Sequence, residues 1–160
     1  MQAVKVTDIK EFGAEKLLKK VPLDTDKIIF NTFFLKPKQL LPFHKHPATD
    51  EMFLIVEGTG EFTVGNEQMT VGNTSSVYGP AGVFHGVVNS GNKDMIMISV
   101  QGPKPVETVF AENATLICPV CKQEFILKAD AKDGDKVVCP RCQARLKIAK
   151  AQDGKWTASQ

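Results

Sequence analysis

Only three histidines occur in this 160-residue chain, and all three fall into one pattern. His44 and His46 stand two apart, Glu51 follows five residues after His46, and His85 comes just after Pro80-Ala81-Gly82. Residues two apart on a strand share a face, so His44 and His46 can point into a barrel together. The turn Pro47-Ala48-Thr49-Asp50 then brings Glu51 onto the next strand, while Pro80 and Gly82 set a tight entry to the segment carrying His85. An isolated HxH pair is a weak sign. A carboxylate at the right offset and the use of every histidine make it a strong one. Three neutral imidazoles and one carboxylate suit a divalent transition metal: Zn, Fe, Mn, Ni or Cu. Four such ligands on one side of an octahedral ion leave two neighbouring positions for water, substrate or oxygen.

The surrounding sequence predicts short strands. Lys27–Lys36 is rich in Ile, Phe and Thr, and Glu51–Val56 is an apolar run ending at Glu57-Gly58-Thr59-Gly60. Glu61–Val64 and Gln68–Val71 flank Gly65-Asn66-Glu67, and Val83–Asn89 and Met95–Gln101 flank Ser90-Gly91-Asn92, two hairpin signals. Strands at this spacing, with Gly and Pro between them, point to an antiparallel sandwich or barrel. Lys16–Lys20 fits either a short helix or an edge strand. Alternation puts Phe53 and Ile55 on the face of Glu51, and Val87 and Asn89 on that of His85, for a mostly apolar pocket. Phe53, Tyr78 and Phe84 read as packing residues ahead of substrate contacts, and Glu57 as a solvated turn carboxylate.

After Gln101 the texture changes. Gly102-Pro103-Lys104-Pro105 breaks the sheet, and a domain boundary is expected near residue 112, giving domains 1–112 and 113–160. The second part holds Cys118-Pro119-Val120-Cys121 and Cys139-Pro140-Arg141-Cys142, with seventeen residues between the inner cysteines. That spacing belongs to four-cysteine zinc sites, with a hairpin between the two CPxC turns. Strands are expected at Glu124–Lys128 and Arg145–Ala149, and the last ten residues, apart from Trp156, read as a loose end. So few apolar side chains could hardly fold here without a metal crosslink. The CPxC pairs also resemble those of rubredoxin-like iron sites. Lys122 and Gln143 stand where that family places Gly, which favours one structural zinc. Arg141, Arg145, Lys147 and Lys150 read as a solvated face, because only Phe125 and Trp156 are available for stacking. A nucleic-acid partner is therefore not expected.

Bulk properties narrow the rest. The net charge of +2 selects no anionic partner. The first residues, Met1-Gln2-Ala3-Val4-Lys5, lack the apolar core of a signal peptide, and no apolar run has the length of a membrane span. A cytoplasmic protein without membrane association is expected. No Ser-His-Asp set and no glycine-rich phosphate loop is present.

His44-Lys45-His46-Pro47-Ala48-Thr49-Asp50-Glu51 with Gly58 resembles the first cupin motif, and Pro80-Ala81-Gly82-Val83-Phe84-His85 with Asn89 resembles the second. The resemblance covers about residues 30–102. It implies an all-β fold, a double-stranded β-helix or jelly-roll barrel, with His44, His46, Glu51 and His85 as metal ligands; the zinc ribbon follows it. Two positions depart from the motifs: Lys38 stands where the first opens with Gly, and Gly72 lies two residues before the second motif's opening Gly. The resemblance also implies a homodimer through the cupin domain and a small-molecule ligand or substrate. Dioxygenase, isomerase and decarboxylase chemistry all occur on this scaffold, and fold alone does not choose among them. A metal-dependent oxygen-using enzyme is the leading specific expectation. The alternative is a small-ligand or metal sensor whose ribbon docks to a partner.

Overall fold

The computed structural model describes residues 2–111, 115–128 and 131–160. After a 3-10 turn at Val6–Ile9, ten strands follow in order: β1 (Leu18–Asp24), β2 (Ile29–Leu35), β3 (Leu40–Lys45), β4 (Asp50–Glu57), β5 (Gly60–Val64), β6 (Glu67–Val71), β7 (Ser76–Gly79), β8 (His85–Asn89), β9 (Met95–Gly102) and β10 (Val109–Phe110). They form two five-stranded sheets, β1-β2-β9-β4-β7 and β10-β3-β8-β5-β6. Every strand pair is antiparallel. This is the expected jelly roll. Lys16–Lys20 enters a strand rather than a helix, because β1 pairs along β2 from Leu18↔Phe34 to Asp24↔Ile29.

Alternation explains where the core lies. Phe33 and Leu35 of β2, Phe53 and Ile55 of β4, and Met95 and Met97 of β9 point inward from one sheet. They meet Leu41, Phe62, Val71 and Val87 from the other, all buried. Each such side chain contributes about 1.5–3 kcal/mol of transfer free energy. The same inner face of β2 and β9 also carries Asn31, Ser99 and Gln101, which are polar and buried.

The remaining strands are β11 (Thr115–Ile117), β12 (Glu124–Ile126), β13 (Lys136–Val138), β14 (Arg145–Lys150) and β15 (Trp156–Ser159). They make a β11-β12 hairpin and a β13-β14-β15 sheet. The boundary expected near residue 112 lies outside the described residues. The loose end is corrected: Trp156–Ser159 pairs with β14 from Lys150↔Trp156 to Lys147↔Ser159. Trp156 and Ala158 gain burial against a small core of Leu116, Phe125, Leu127, Leu146 and Ile148, which outweighs the cost of ordering the tail.

The cysteine-bearing segment packs against the barrel. Ile126 is buried with Phe43 and Val88, and Gln68 Nε2 donates to the Ile126 carbonyl at 3.1 Å. Gly86 makes room for this contact, since a Cβ there would lie 2.9 Å from Ile126 Cδ1.

Candidate metal centres

The barrel cluster is assembled from three strands and one turn. His44 belongs to β3 and His85 opens β8, where the two are direct cross-strand partners. His46 lies one residue beyond β3, and Glu51 is the second residue of β4, paired with Gly79 on one side and Gln101 on the other. The loops are tied together. Ala81 N–H donates to the Asp50 carboxylate at 2.8 Å, and Gly82 N–H donates to the His46 carbonyl at 2.8 Å. Gly79 is required for His85, because a Cβ there would lie 2.9 Å from the ring's Nδ1.

The structure brings all four predicted residues together, with one ligand atom from each within 4.8 Å of the others. All four are buried. Each imidazole Nδ1 faces a backbone carbonyl: His44 to Pro42 at 2.6 Å, His46 to Glu107 at 2.7 Å and His85 to Val83 at 3.0 Å. A carbonyl only accepts, so these contacts assign the proton to Nδ1 and leave Nε2 as the free lone pair. The three Nε2 atoms converge on Glu51 Oε2 at 3.6, 3.0 and 3.1 Å. Three lone pairs facing a carboxylate repel one another unless a cation or protons lie between them. The other carboxylate oxygen, Glu51 Oε1, is buried without a partner. The donor set therefore fits a divalent transition metal.

Electrostatics agree. Burial pushes the Glu51 carboxyl up, but the polar groups of His44, His46, His85 and Ser99 gathered around it outweigh this and hold it far below the usual carboxylate range. Burial draws the His46 imidazolium down, yet its bonds to Glu51 and the Glu107 carbonyl outweigh that and raise it above the ordinary histidine value.

Several neighbours were not legible as site residues. Gln101 Nε2 lies 2.9 Å from His46 Nε2, and Asn31 Nδ2 donates to Gln101 Oε1 and Ser99 Oγ at 3.0 and 3.1 Å. A signal existed: Asn31, Ser99 and Gln101 sit at core-facing positions of otherwise apolar strands. The segment after β9 contributes too. Glu107 supplies the carbonyl for His46, Thr49 Oγ1 donates to the Pro103 carbonyl at 2.9 Å, and β10 pairs Phe110 with His44.

The pocket-lining expectations are partly corrected. Phe53 does reach the cluster, its ring centroid 5.6 Å from that of His85. Tyr78 is exposed, Phe84 packs on Phe43, and Glu57 pairs with Lys10 at 3.0 Å. The Asn89 side chain serves the hairpin, bonding the Leu35 and Lys93 carbonyls and the Gly91 N–H. The lining near the metal position is more polar than alternation of apolar residues suggests.

In the second cluster the four cysteines are free thiols, with Cys118 Sγ 3.7 Å from Cys142 Sγ and Cys121 Sγ 3.7 Å from Cys139 Sγ. A tetrahedron of metal–sulfur bonds of about 2.3 Å has edges of about 3.8 Å. The two knuckles match: Lys122 N–H donates to the Cys118 carbonyl and Gln143 N–H to the Cys139 carbonyl, each at 2.9 Å. Lys122 and Gln143 have φ of 58° and 60°, the left-handed conformation glycine favours. Their identity thus leaves the turn shape unchanged and separates zinc from iron less than the sequence suggests. Burial pushes the Cys118 thiol up, but the Cys121 and Val120 N–H groups outweigh it and hold it at about 7. Cys139 is pushed up to about 12 by burial. The thiols cannot all ionise unaided, and a bound cation would allow it.

A family model described as "Cupin domain" matches residues 31–101. Residues 31–101 form a cupin domain. The match contains all four residues of the first cluster; β10 and the cysteine cluster lie beyond it. The protein TT1209 from Thermus thermophilus shares the cupin fold at a TM-score of 0.63 and 24% identity, covering 66% of this chain and 100% of that one. A protein with a double-stranded β-helix domain from Klebsiella pneumoniae superposes at a TM-score of 0.66 with 22% identity, covering 70% of this chain and 98% of that one. At these identities the likeness is one of fold. Mannose-1-phosphate guanylyltransferase of Sinorhizobium fredii is 28% identical over 79 residues, which are 49% of this chain and 15% of that protein. The chain thus spans a small part of that relative's length. The cupin domain is followed by a four-cysteine cluster consistent with a zinc ribbon. Among the described residues no helix is long and apolar enough to cross a membrane.

Proposed function

We propose that this chain is a metal-dependent cupin enzyme acting on a small oxygen-donor molecule, with an oxygen-using oxidation as the leading activity. The observation that carries it is the convergence of three carbonyl-locked imidazoles on one buried carboxylate oxygen. When bound, a divalent metal there supplies Lewis acidity, or oxygen chemistry if it is iron. His44, His46 and His85 serve as neutral ligands held by their backbone acceptors. Glu51 serves as the anionic ligand, its carboxylate kept charged by the polar groups around it. Phe53 and the apolar core beneath exclude water. In the test, purified protein loaded with iron consumes oxygen with small organic acids or enols, and His85→Ala abolishes turnover. Retention of turnover in that variant would defeat the proposal.

The second reading is a non-catalytic sensor. What supports it is the packing of Ile126 against the strands that carry His44 and His85. Stoichiometric binding without consumption of any ligand would favour it. In either case we place a structural zinc at Cys118, Cys121, Cys139 and Cys142, and the four free thiols suit a cytoplasmic location. We further propose a homodimer through the cupin domain. Met52, Leu54 and Tyr78 are exposed on the outer face of β4 and β7, an apolar surface that a second copy would cover. Light scattering should give twice the chain mass, and Leu54→Lys should halve it.

A further inference from the structure

We propose that the free edge of β13 is a docking site for an extended acidic segment of a partner protein. The site lies outside the barrel cluster and needs only the second part of the chain, folded around its four cysteines.

Backbone hydrogen bonds show which way the edge faces. β13 is the outer strand of the β13-β14-β15 sheet, and among the described residues it pairs only with β14. The Cys139 N–H donates to the Ala144 carbonyl, and the Ile148 N–H to the Asp135 carbonyl, each at 2.9 Å. In an antiparallel ladder alternate residues bond to the same neighbour, so Asp135, Val137 and Cys139 face β14. Lys136 and Val138 therefore turn their N–H and C=O groups outward, where no other described group bonds to them. Two donors and two acceptors stand at the spacing that a further strand would match.

Side chains add charge to this edge. Lys136 and Val138 sit on the outer face of the sheet, opposite Lys147 and Arg145 of β14. All four are exposed, Val138 by 51%. Both are pairs without mutual backbone bonds, the kind in which side chains come closest. Two ammonium groups facing each other there repel. Among the described residues no carboxylate forms an ion pair with Lys136, Arg145 or Lys147. The nearby acids are engaged in turns: Asp135 accepts the Lys132 N–H and Asp133 the Lys150 N–H, each at 2.8 Å. Lys136, Val138, Arg145 and Lys147 line a depression of about 540 Å³ that holds three cations and no carboxylate side chain.

These demands select the occupant. A second copy of this edge would bring two cationic faces together, and lysine on a short edge strand blocks that pairing. An extended segment of opposite charge meets no such barrier. It would carry an acidic side chain beside Lys136 and an apolar one two residues away beside Val138. A nucleic-acid backbone answers the charge alone. It leaves the outward carbonyls and Val138 without partners, and Trp156, the one aromatic of these three strands, packs on the opposite face.

The experiment uses the full chain loaded with zinc and a dye-labelled Ser-Glu-Val-Glu-Val-Ser peptide, followed by fluorescence anisotropy at low salt. The peptide should bind about tenfold more tightly than its counterpart with lysine in place of glutamate, the scale of a few exposed ion pairs. Lys136→Glu combined with Lys147→Glu should reverse that preference, and Lys136→Gln alone should narrow it about threefold. Lys155→Glu, at a lysine that pairs with Asp153 instead, should leave it unchanged. N-methylation of the peptide's backbone amides should weaken binding about tenfold. Equal binding of the two peptides by the parent would overturn the site, as would an undiminished preference in both Lys136 variants or full affinity of the N-methylated peptide. Tighter binding of a DNA duplex of matched charge than of the acidic peptide would overturn it in favour of a nucleic-acid surface.

Discussion

The guanidinium of Arg141 donates to the backbone carbonyl of Asn89 at 3.0 Å. Arg141 lies between Cys139 and Cys142 in the second knuckle, and Asn89 closes β8, the strand that His85 opens. The same carbonyl accepts the N–H of Lys38. The cysteine-bearing segment and the barrel are thus joined at a point set by the knuckle's shape. The cations there are not all a solvated face.

The Ile126 contact should dominate that junction. Ile126→Ala removes a buried side chain from between Phe43 and Val88, at a cost of about 2–4 kcal/mol in a chemical unfolding curve. Lys136→Ala, at an exposed strand position, should stay within about 0.5 kcal/mol. Equal, small effects for both would show that the two parts do not share a core.

Metal binding to the barrel should tighten with pH. In the metal-free chain His46 holds its proton above the ordinary value of 6.5. Its contribution to stability is then complete below that value and is lost as pH rises through the raised one. Glu51, held far below its ordinary 4.5, contributes stability above that value and loses it only in strong acid. A metal must displace the imidazole protons, so its affinity should rise up to about tenfold per pH unit below the His46 value. Calorimetry at pH 5.5 and pH 8 checks this. An affinity independent of pH over that range would be inconsistent with coordination by His46.

Lys38→Gly should stabilise the barrel. Lys38 is exposed and has a φ of 77°, a conformation that strains an L residue by about 1 kcal/mol. The added freedom of glycine in the unfolded chain offsets part of this, leaving a gain of about 0.5 kcal/mol by thermal unfolding. Gly58→Ala should act oppositely. Gly58 has a φ of 89°, and a Cβ there would lie 2.7 Å from the Asp94 carbonyl. A loss of stability in Lys38→Gly would indicate that the lysine side chain outweighs its backbone strain.

The four non-glycine residues with positive φ among the described residues are Lys38, Thr74, Lys122 and Gln143. Lys38 and Thr74 stand where the cupin motifs open with glycine, and Lys122 and Gln143 stand where rubredoxin-like knuckles carry it. The departures from motif therefore alter side chains while the backbone keeps the motif's shape. The jelly roll and both clusters were legible because period-two apolar patterns and fixed ligand spacings leave few ways to close a sheet. The Asn31–Ser99–Gln101 row was less visible, since a lone polar residue in an apolar strand does not reveal which neighbours will satisfy it. The second layer at His46 was invisible, because the Glu107 carbonyl belongs to the backbone and no side-chain code marks it. β15 was missed although Asp153-Gly154 marks a tight turn, closed by the Gly154 N–H on the Ala151 carbonyl, because only the burial of Trp156 holds the returning strand in place.

Metal content of the purified full chain, compared between the parent and Glu51→Gln, tests the barrel centre most directly. Two metal ions per chain are expected in the parent. One is expected in the variant, retained by the four cysteines. One ion per chain in both proteins, with the thiols occupied, would contradict a metal at His44, His46, Glu51 and His85.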